Sequence, residues 1–377
     1  MTEHDALVAL NMVTGMGVVT ARRLHARFGS FAKALETDET ELRSVPGIGP
    51  EKSASFATEF RTVELDRELS LAEKLKVTIV TLADPDYPKL LAEIADPPLV
   101  LYLRGEVSAM DRAAVAIVGT RHPTMYGREA ARKFGYHLAG AGYTVVSGLA
   151  VGIDAEAHSG AVKSGGLTVG VLGGALDCFF PKENAPLARE IVQHGGAVVS
   201  EYSFGRQPDR QTFPMRNRIV SGLCKGVLVV ESPLSSGTMI TVSQALDQNR
   251  TVMAVPGRID SPASQGCHRL IRQGARMVTN ADEVIEELQD LVSNMRNVKP
   301  SDPPRDRTTA AKEGRPAPAL SDEERRVYDT LSAEGISIDQ VVRLTGLDAA
   351  KVSSILIVLQ IKRLAKSLPG GRAAKVV

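Results

Sequence analysis

Val115-Ala116-Ile117-Val118-Gly119-Thr120-Arg121 sets the reading of this chain: a short apolar run, a glycine turn carrying an arginine, then a helical segment. The same phrase recurs through residues 113–256, with further apolar runs at 144–146, 168–172, 197–199 and 227–230. The turns behind them are Ser147-Gly148-Leu149, Gly173-Gly174-Ala175, Ser200-Glu201-Tyr202 and Glu231-Ser232-Pro233, the last leading into Ser236-Gly237-Thr238. Runs this short, rich in valine and without polar alternation, read as strands buried on both faces, and their alternation with helices calls for a parallel sheet. A sixth run at 252–255 and a helix near 281–292 extend the pattern. The fold class expected is α/β, an extended Rossmann-like, doubly wound, mostly parallel sheet over residues 73–295. The turns at its strand ends would line one crevice, where small residues let a ligand approach the amides of helix N-termini.

The flanks read differently. Residues 1–72 form short helices and contain two similar phrases, Thr14-Gly15-Met16-Gly17 and Pro46-Gly47-Ile48-Gly49, followed by helical segments at 19–28 and 51–60. The pattern is that of a duplicated helix-hairpin-helix (SAM-like) unit, whose turn amides can face a nucleic-acid phosphate or serve only packing. Runs at 77–82 and 99–103 are expected to add strands to the edge of the central sheet. Residues 296–320, rich in Pro, Lys, Arg, Asp and Thr, read as a flexible linker. From 321 to 377, a Ser321 cap with Glu324, three helices (322–333, 338–345, 348–362), a run at 364–368 and a Pro369-Gly370-Gly371 turn read as a winged helix. Its third helix carries Lys351 and, at its end, Lys362 and Arg363, so DNA contact and partner docking both stay open.

Composition narrows the class. With 377 residues, 43% hydrophobic and 24% charged, the chain is of ordinary globular type and long enough for several domains. No apolar stretch is long enough to span a membrane, and the acidic start Met1-Thr2-Glu3-His4-Asp5 lacks the features of a secretory signal. Three widely separated cysteines suggest neither a disulfide framework nor a zinc site, so a reducing, cytoplasmic location is expected. The net charge of +1 gives no global case for nucleic acid. Locally, Arg206, Arg210, Arg216 and Arg218 face one acid, Asp209, and Arg250, Arg258, Arg269, Arg272 and Arg276 face only Asp260, as expected of a positive groove on a balanced surface.

The turns decide what the crevice could hold. Gly119-Thr120-Arg121 is not G-x-G-x-x-G, and the second strand ends in Ser147-Gly148 where a dinucleotide site places an acid, so no nicotinamide cofactor is expected. Asp154 and His158 stand one helical turn apart without a third ligand; Asp154 reads as a helix cap and no metal is expected. Neither a P-loop nor a catalytic triad is present. What the helix starts do carry is cations and small polar groups: Arg121, then Lys182 and Asn184, then Arg216, Asn217 and Arg218, then Ser236, Gly237 and Thr238. Guanidinium forks and helix dipoles both favour phosphate. Phe179, Phe180 and Phe213 could stack bases or pack in the core. For Arg216 and Arg218 an ion pair with Glu231 or Glu201 competes with an external anion, which the local charge excess favours.

The motifs Gly119-Thr120-Arg121, Ser147-Gly148-Leu149-Ala150-Val151-Gly152-Ile153-Asp154, Gly173-Gly174, Phe179-Phe180-Pro181-Lys182-Glu183-Asn184, Phe213-Pro214-Met215-Arg216-Asn217-Arg218, Ser236-Gly237-Thr238 and Val255-Pro256-Gly257, in this order, resemble the DNA-processing protein DprA (Smf) family. That resemblance implies a single-stranded DNA-binding protein without catalytic turnover, which protects incoming DNA and loads the RecA recombinase onto it in natural transformation. It also implies a homodimer through the Rossmann-like domain. Arg121, Lys182, Arg216 and Arg218 would be the phosphate contacts, with Gly119, Gly148, Gly173, Gly174, Phe179, Asn184, Asn217, Ser236, Gly237 and Thr238 lining the site. Val151 departs from the family pattern, where many members carry a basic residue. An alternative resemblance is to nucleotide-binding, lysine-decarboxylase-like phosphoribohydrolases. It lacks the acid those enzymes carry after the Gly-Thr turn, since Met239 and Ile240 follow here, and it would leave Glu231 as the candidate catalyst.

Overall fold

The computed structural model describes residues 1–296, 320–332, 335–362, 364–368 and 371–375. Nearly all of the segment read as a linker at 296–320 lies outside them, as do Pro369 and Gly370. The valine-rich runs are strands of one nine-stranded sheet: β1 (Thr78–Thr81), β2 (Val100–Gly105), β3 (Ala114–Val118), β4 (Thr144–Ser147), β5 (Thr168–Val171), β6 (Ala197–Ser200), β7 (Gly226–Val229), β8 (Thr251–Ala254) and β9 (Arg276–Met277). Their spatial order is β1-β2-β6-β5-β4-β3-β7-β8-β9. From β6 to β9 every pairing is parallel, while β1 and β2 add an antiparallel edge through the register Tyr102↔Ser200. The two-residue β9 lies beyond the sequence reading, being too short to carry a pattern.

Both faces of the sheet are covered, which is why the strands show no polar alternation. Ala114, Ala116 and Val118 pack with Ile219, Val220, Leu223, Val242 and Leu270 on one side. Val115 and Ile117 pack with Phe134, Leu138, Ile153, Ala157 and Val284 on the other. There the helices Met125–Gly140 and Ile153–Lys163 approach closely enough that a Cβ at Gly160 would strike the Arg132 carbonyl. The chain lays down β3 to β6 outward in one direction and then returns to place β7 on the other flank of β3. This reversal is the topological switch point, and the turns after β3 and β7 open beside each other at the carboxyl edge.

The N-terminal helices share a core with the central domain: Leu7, Leu10, Leu24 and Phe56 are continuous with Val100, Tyr102 and Val198. The two hairpins end in Gly17 and Gly49, which cap the helices Val18–Phe28 and Pro50–Thr62. Two of the first hairpin's basic residues clasp the second: Arg23 Nη1 donates to the Pro46 carbonyl at 3.0 Å and Arg27 Nε to Ser44 Oγ at 3.1 Å. The module also fixes a loop of the site. Asn11 donates to the Glu201 carbonyl at 3.0 Å, and Glu68 accepts the Phe204 amide at 2.9 Å.

At the C-terminal end, helices Asp322–Thr330, Ile338–Thr345 and Ala349–Ile361 with strands β10 (Ile336–Ser337), β11 (Ala365–Leu368) and β12 (Arg372–Lys375) form a winged helix around Val327, Val341, Val352 and Leu359. The first helix stops at Thr330, short of the expected 333. Lys351 pairs with Glu323 at 2.5 Å and Lys362 with Glu324 at 2.8 Å, so both of these cations of the third helix hold the domain together.

Candidate nucleic-acid interface

After β3 the chain turns sharply at Gly119 and Thr120, whose amide donates to the Glu231 carbonyl at 2.8 Å and so ties the two switch-point turns together. Arg121 follows and is exposed, with no hydrogen-bond or ion-pair partner among the described residues. Its guanidinium carbon lies 5.2 Å from the centroid of the half-buried Phe213 ring, a cation–π arrangement that holds the side chain without consuming its N–H donors. Phe213 sits in the first turn of the helix Thr212–Gly222, which Asp209 fixes by accepting the Gln211 and Thr212 amides at 2.8 and 2.9 Å. The Phe180 ring, 49% exposed, lies 6.1 Å from Phe213 and tilts across it. Lys182, two residues on, is exposed and likewise unpaired among the described residues. The result is a shelf of two aromatic faces, with the free Arg121 on one ring and the exposed Lys182 two residues along the chain from the other. It suits a chain of phosphates with unstacked bases.

The other expected contacts are used internally. In place of an external anion, Arg216 is 4% exposed and donates to the carbonyl oxygens of Gly148, at 2.5 Å, and Val171, with Nε on Asn217 Oδ1 at 3.2 Å. Burial drops its guanidinium to about 10, with Asp154 opposing that fall and Arg121 adding to it, so it stays charged at neutral pH. Arg218, 9% exposed, makes a bidentate pair with Glu201 at 2.9 and 2.6 Å and reaches Asp96 at 3.2 Å. The internal ion pair therefore replaces the external anion for Arg218. Asn184 is buried and donates to the Leu149 carbonyl at 2.8 Å, supporting a residue whose φ is 52°. Phe179 packs against the core of Leu172 and Leu176. Ser236 bonds Ser232 at 2.7 Å, and Thr238 is buried at the helix start.

The glycines are also employed against protein rather than ligand. A Cβ at Gly148 would lie 2.6 Å from Arg216 Nη2, one at Gly173 2.8 Å from the Phe213 ring, one at Gly174 2.9 Å from Pro208, and one at Gly119 2.6 Å from Ile153. Their smallness lets the shelf close onto the strand ends. Gly237 differs, with open space around its Cβ position and a helix, Thr238–Asp247, that has no side-chain cap. Arg121, Lys182 and Gly237 are thus the sequence-singled positions left open. Phe180 and Phe213 join them as the surface that charge alone did not point to.

One buried carboxylate occupies the place where a dinucleotide phosphate would bind, and a second holds the turn after β4. Glu231, 1% exposed, accepts from the Thr124 amide at 2.9 Å and the Thr124 hydroxyl at 2.6 Å, filling the start of the helix Met125–Gly140. A dinucleotide pyrophosphate would need that position. The same bonds leave Glu231 enclosed, away from the open shelf. Asp154 does not cap its own helix, whose N-cap is Gly152, but accepts the Gly148 and Ala150 amides at 3.1 and 3.4 Å. Burial pushes its carboxyl up, with Arg216 opposite pulling it down. No group of three or more possible metal ligands occurs among the described residues.

Beneath this pair lies His158, fully buried, with Nδ1 2.6 Å from Thr168 Oγ1 and Nε2 unpartnered. Burial, reinforced by Arg216, lowers it from 6.5 to about 3. Its folded value lies below the unfolded one, so the neutral ring's contribution to stability is complete above pH 6.5 and is lost as pH falls towards about 3. Between about pH 7.5 and pH 5 the wild-type protein is expected to lose about 2 kcal/mol more than a His158→Gln variant. Urea denaturation at the two pH values measures this, and equal losses would remove His158 as the cause.

The comparisons with known proteins agree with this architecture. Residues 78–289 match the family model for DNA recombination-mediator protein A, residues 311–371 that for the DprA winged helix domain, and residues 8–55 that for a SAM-like helix-hairpin-helix tandem. Protein Smf of Synechocystis sp. is 33% identical over 392 residues, covering 98% of each chain. The DNA processing protein DprA of Bacillus subtilis is 37% identical over 241 residues, covering 64% of this chain and 79% of that one. Among solved structures, DNA processing protein A of Streptococcus pneumoniae superposes with a TM-score of 0.66 at 34% identity, covering 76% of this chain and 98% of that one. Its Helicobacter pylori counterpart, described for its single-stranded DNA binding mode, gives a TM-score of 0.51 at 30% identity over 58% of this chain and 97% of that one. With the sheet, the hairpins, the winged helix and these matches together, the chain belongs to the DprA (Smf) family of DNA recombination-mediator proteins.

Proposed function

We propose that this protein binds single-stranded DNA across the shelf of Arg121, Phe213, Phe180 and Lys182, protects it, and loads the RecA recombinase onto it in natural transformation. It does so as a homodimer through the Rossmann-like domain and without chemical turnover. The observation that carries the reading is an unpaired guanidinium lying on a half-buried aromatic ring, with a second, exposed ring and a free lysine alongside. Phosphates would take the cations and bases the rings. The single-stranded DNA binding described for the Helicobacter pylori relative supports the choice of substrate. Arg216 and Arg218 enter as supports of the shelf, and Gly237 with the uncapped helix start offers amides behind β7. Rings and cations set this way favour splayed bases over a stacked duplex. A titration of the full chain with oligonucleotides of equal length is expected to give affinity at least about tenfold higher for the single strand than for the duplex. Equal affinities would move the interface to the hairpins or the winged helix.

A further inference from the structure

Phe179 and Phe180 point to different places. Phe180 lies on the shelf, whereas Phe179 lines a second depression of about 350 Å³ between the helix Ala185–Gln193 and the β2–β6 edge of the sheet. Its walls are apolar, formed by Leu176, Ala188, Val192 and Val198, and its charged members are Arg104 and Arg189, with no carboxylate among the lining residues. Arg104 stands across from Val198 in the β2–β6 register and is held by a bond to the Leu75 carbonyl at 3.2 Å. Arg189 is exposed and has no hydrogen-bond or ion-pair partner among the described residues. The two ends of the helix give the groove its direction. Ala185 and Phe179 stand at the carboxyl edge next to Lys182, and Gln193 lies at the opposite end, roughly 12 Å away at the rise of an α-helix.

We infer that this groove is a second nucleotide subsite, which receives the strand as it leaves the shelf past Lys182. One base lies against Phe179 and the apolar wall, and its phosphate lies on Arg189. The proposal rests on the reading of the shelf as a single-strand site. Two features favour this occupant. The charge is of one sign and includes an arginine with no internal use, which suits a polyanion. The groove also adjoins the shelf along the chain, Phe179 lining the one and Phe180 the other, with Lys182 two residues further on. Its volume is in the range of ligand pockets, enough for a base with its sugar.

The test uses the full chain with oligothymidylates of about 6 and about 20 nucleotides, the shorter covering little more than the shelf. Arg189→Ala and Ala188→Phe, which fills the groove, are expected to bind the short oligonucleotide as the wild type does and the long one about tenfold more weakly. Arg189→Ala should also lower the salt slope for the long oligonucleotide by about 0.7. Arg121→Ala should weaken both lengths. Unchanged binding of the long oligonucleotide by both groove variants, with Arg121→Ala still impaired, overturns the groove and leaves the shelf standing. If Arg121→Ala binds both lengths like the wild type, the shelf itself fails and the groove with it. Because Arg189 is exposed, its replacement leaves the proposal testable even if Ala188→Phe does not fold.

Discussion

Arg121→Ala is expected to weaken single-stranded DNA binding by about tenfold to a hundredfold, the worth of a charge-assisted hydrogen bond to phosphate. The melting temperature should stay within about a degree of the wild type, because an exposed side chain with no polar partner contributes little to folding. The loss arises from one group doing two things. Its fork is free to bond phosphate, and its position on Phe213 fixes where that phosphate must lie relative to the stacking face. Arg121→Lys should recover only part of the affinity, since an ammonium neither bridges two phosphate oxygens nor lies flat on the ring. Equilibrium titration paired with a thermal melt separates the effects. A normal affinity in Arg121→Ala would show that the strand runs elsewhere.

Arg216→Ala should produce the opposite pattern in the melt. Its guanidinium is the donor for the Gly148 and Val171 carbonyl oxygens and the counter-charge facing Asp154. Removing it strands buried acceptors and a buried carboxyl, which costs about 3–5 kcal/mol, or on the order of 10 °C in a domain of this size. DNA binding should fall as well, but through the shelf. The helix Thr212–Gly222 carries both Arg216 and Phe213, so loosening one displaces the other. A variant that binds weakly at normal stability would return Arg216 to the role of direct contact.

The sheet could be read from sequence because its strands are buried on both faces and therefore appear as uninterrupted apolar runs. β9 escaped because two exposed residues leave no pattern. The exposure of Arg121 was legible for a related reason: it stands in the turn directly behind β3, a position that is open by construction, whereas Lys182 opens a short helix eleven residues beyond the end of β5. For Arg218 the sequence offered its partner Glu201 only as an alternative to an external anion, and for Arg216 it offered none of the groups that engage it, because these arrive from far along the chain. Gly148 and Val171 lie at the ends of other strands, and Glu201 and Asp96 lie in other loops. A local excess of arginine does not decide between a named acid and an external anion. The glycines misled in the same way. Gly173 reads as room for a ligand until the Phe213 ring, forty residues on, is found against it. Glu231 could be seen as an acid at a strand end, but its enclosure depends on Thr124, supplied by the neighbouring turn across the switch point. The sign of the crevice was thus readable, and the division between groups left open at the surface and groups that build the shelf was not.

That division is most directly tested by the salt dependence of single-strand binding in the Arg121→Ala/Lys182→Ala double variant. Removing one cation from a phosphate lowers the slope of log K against log salt by about 0.7 for a single strand, so the double variant is predicted to fall by about 1.4 with an unchanged melting temperature. A slope equal to that of the wild type would contradict the assignment of the strand to this shelf.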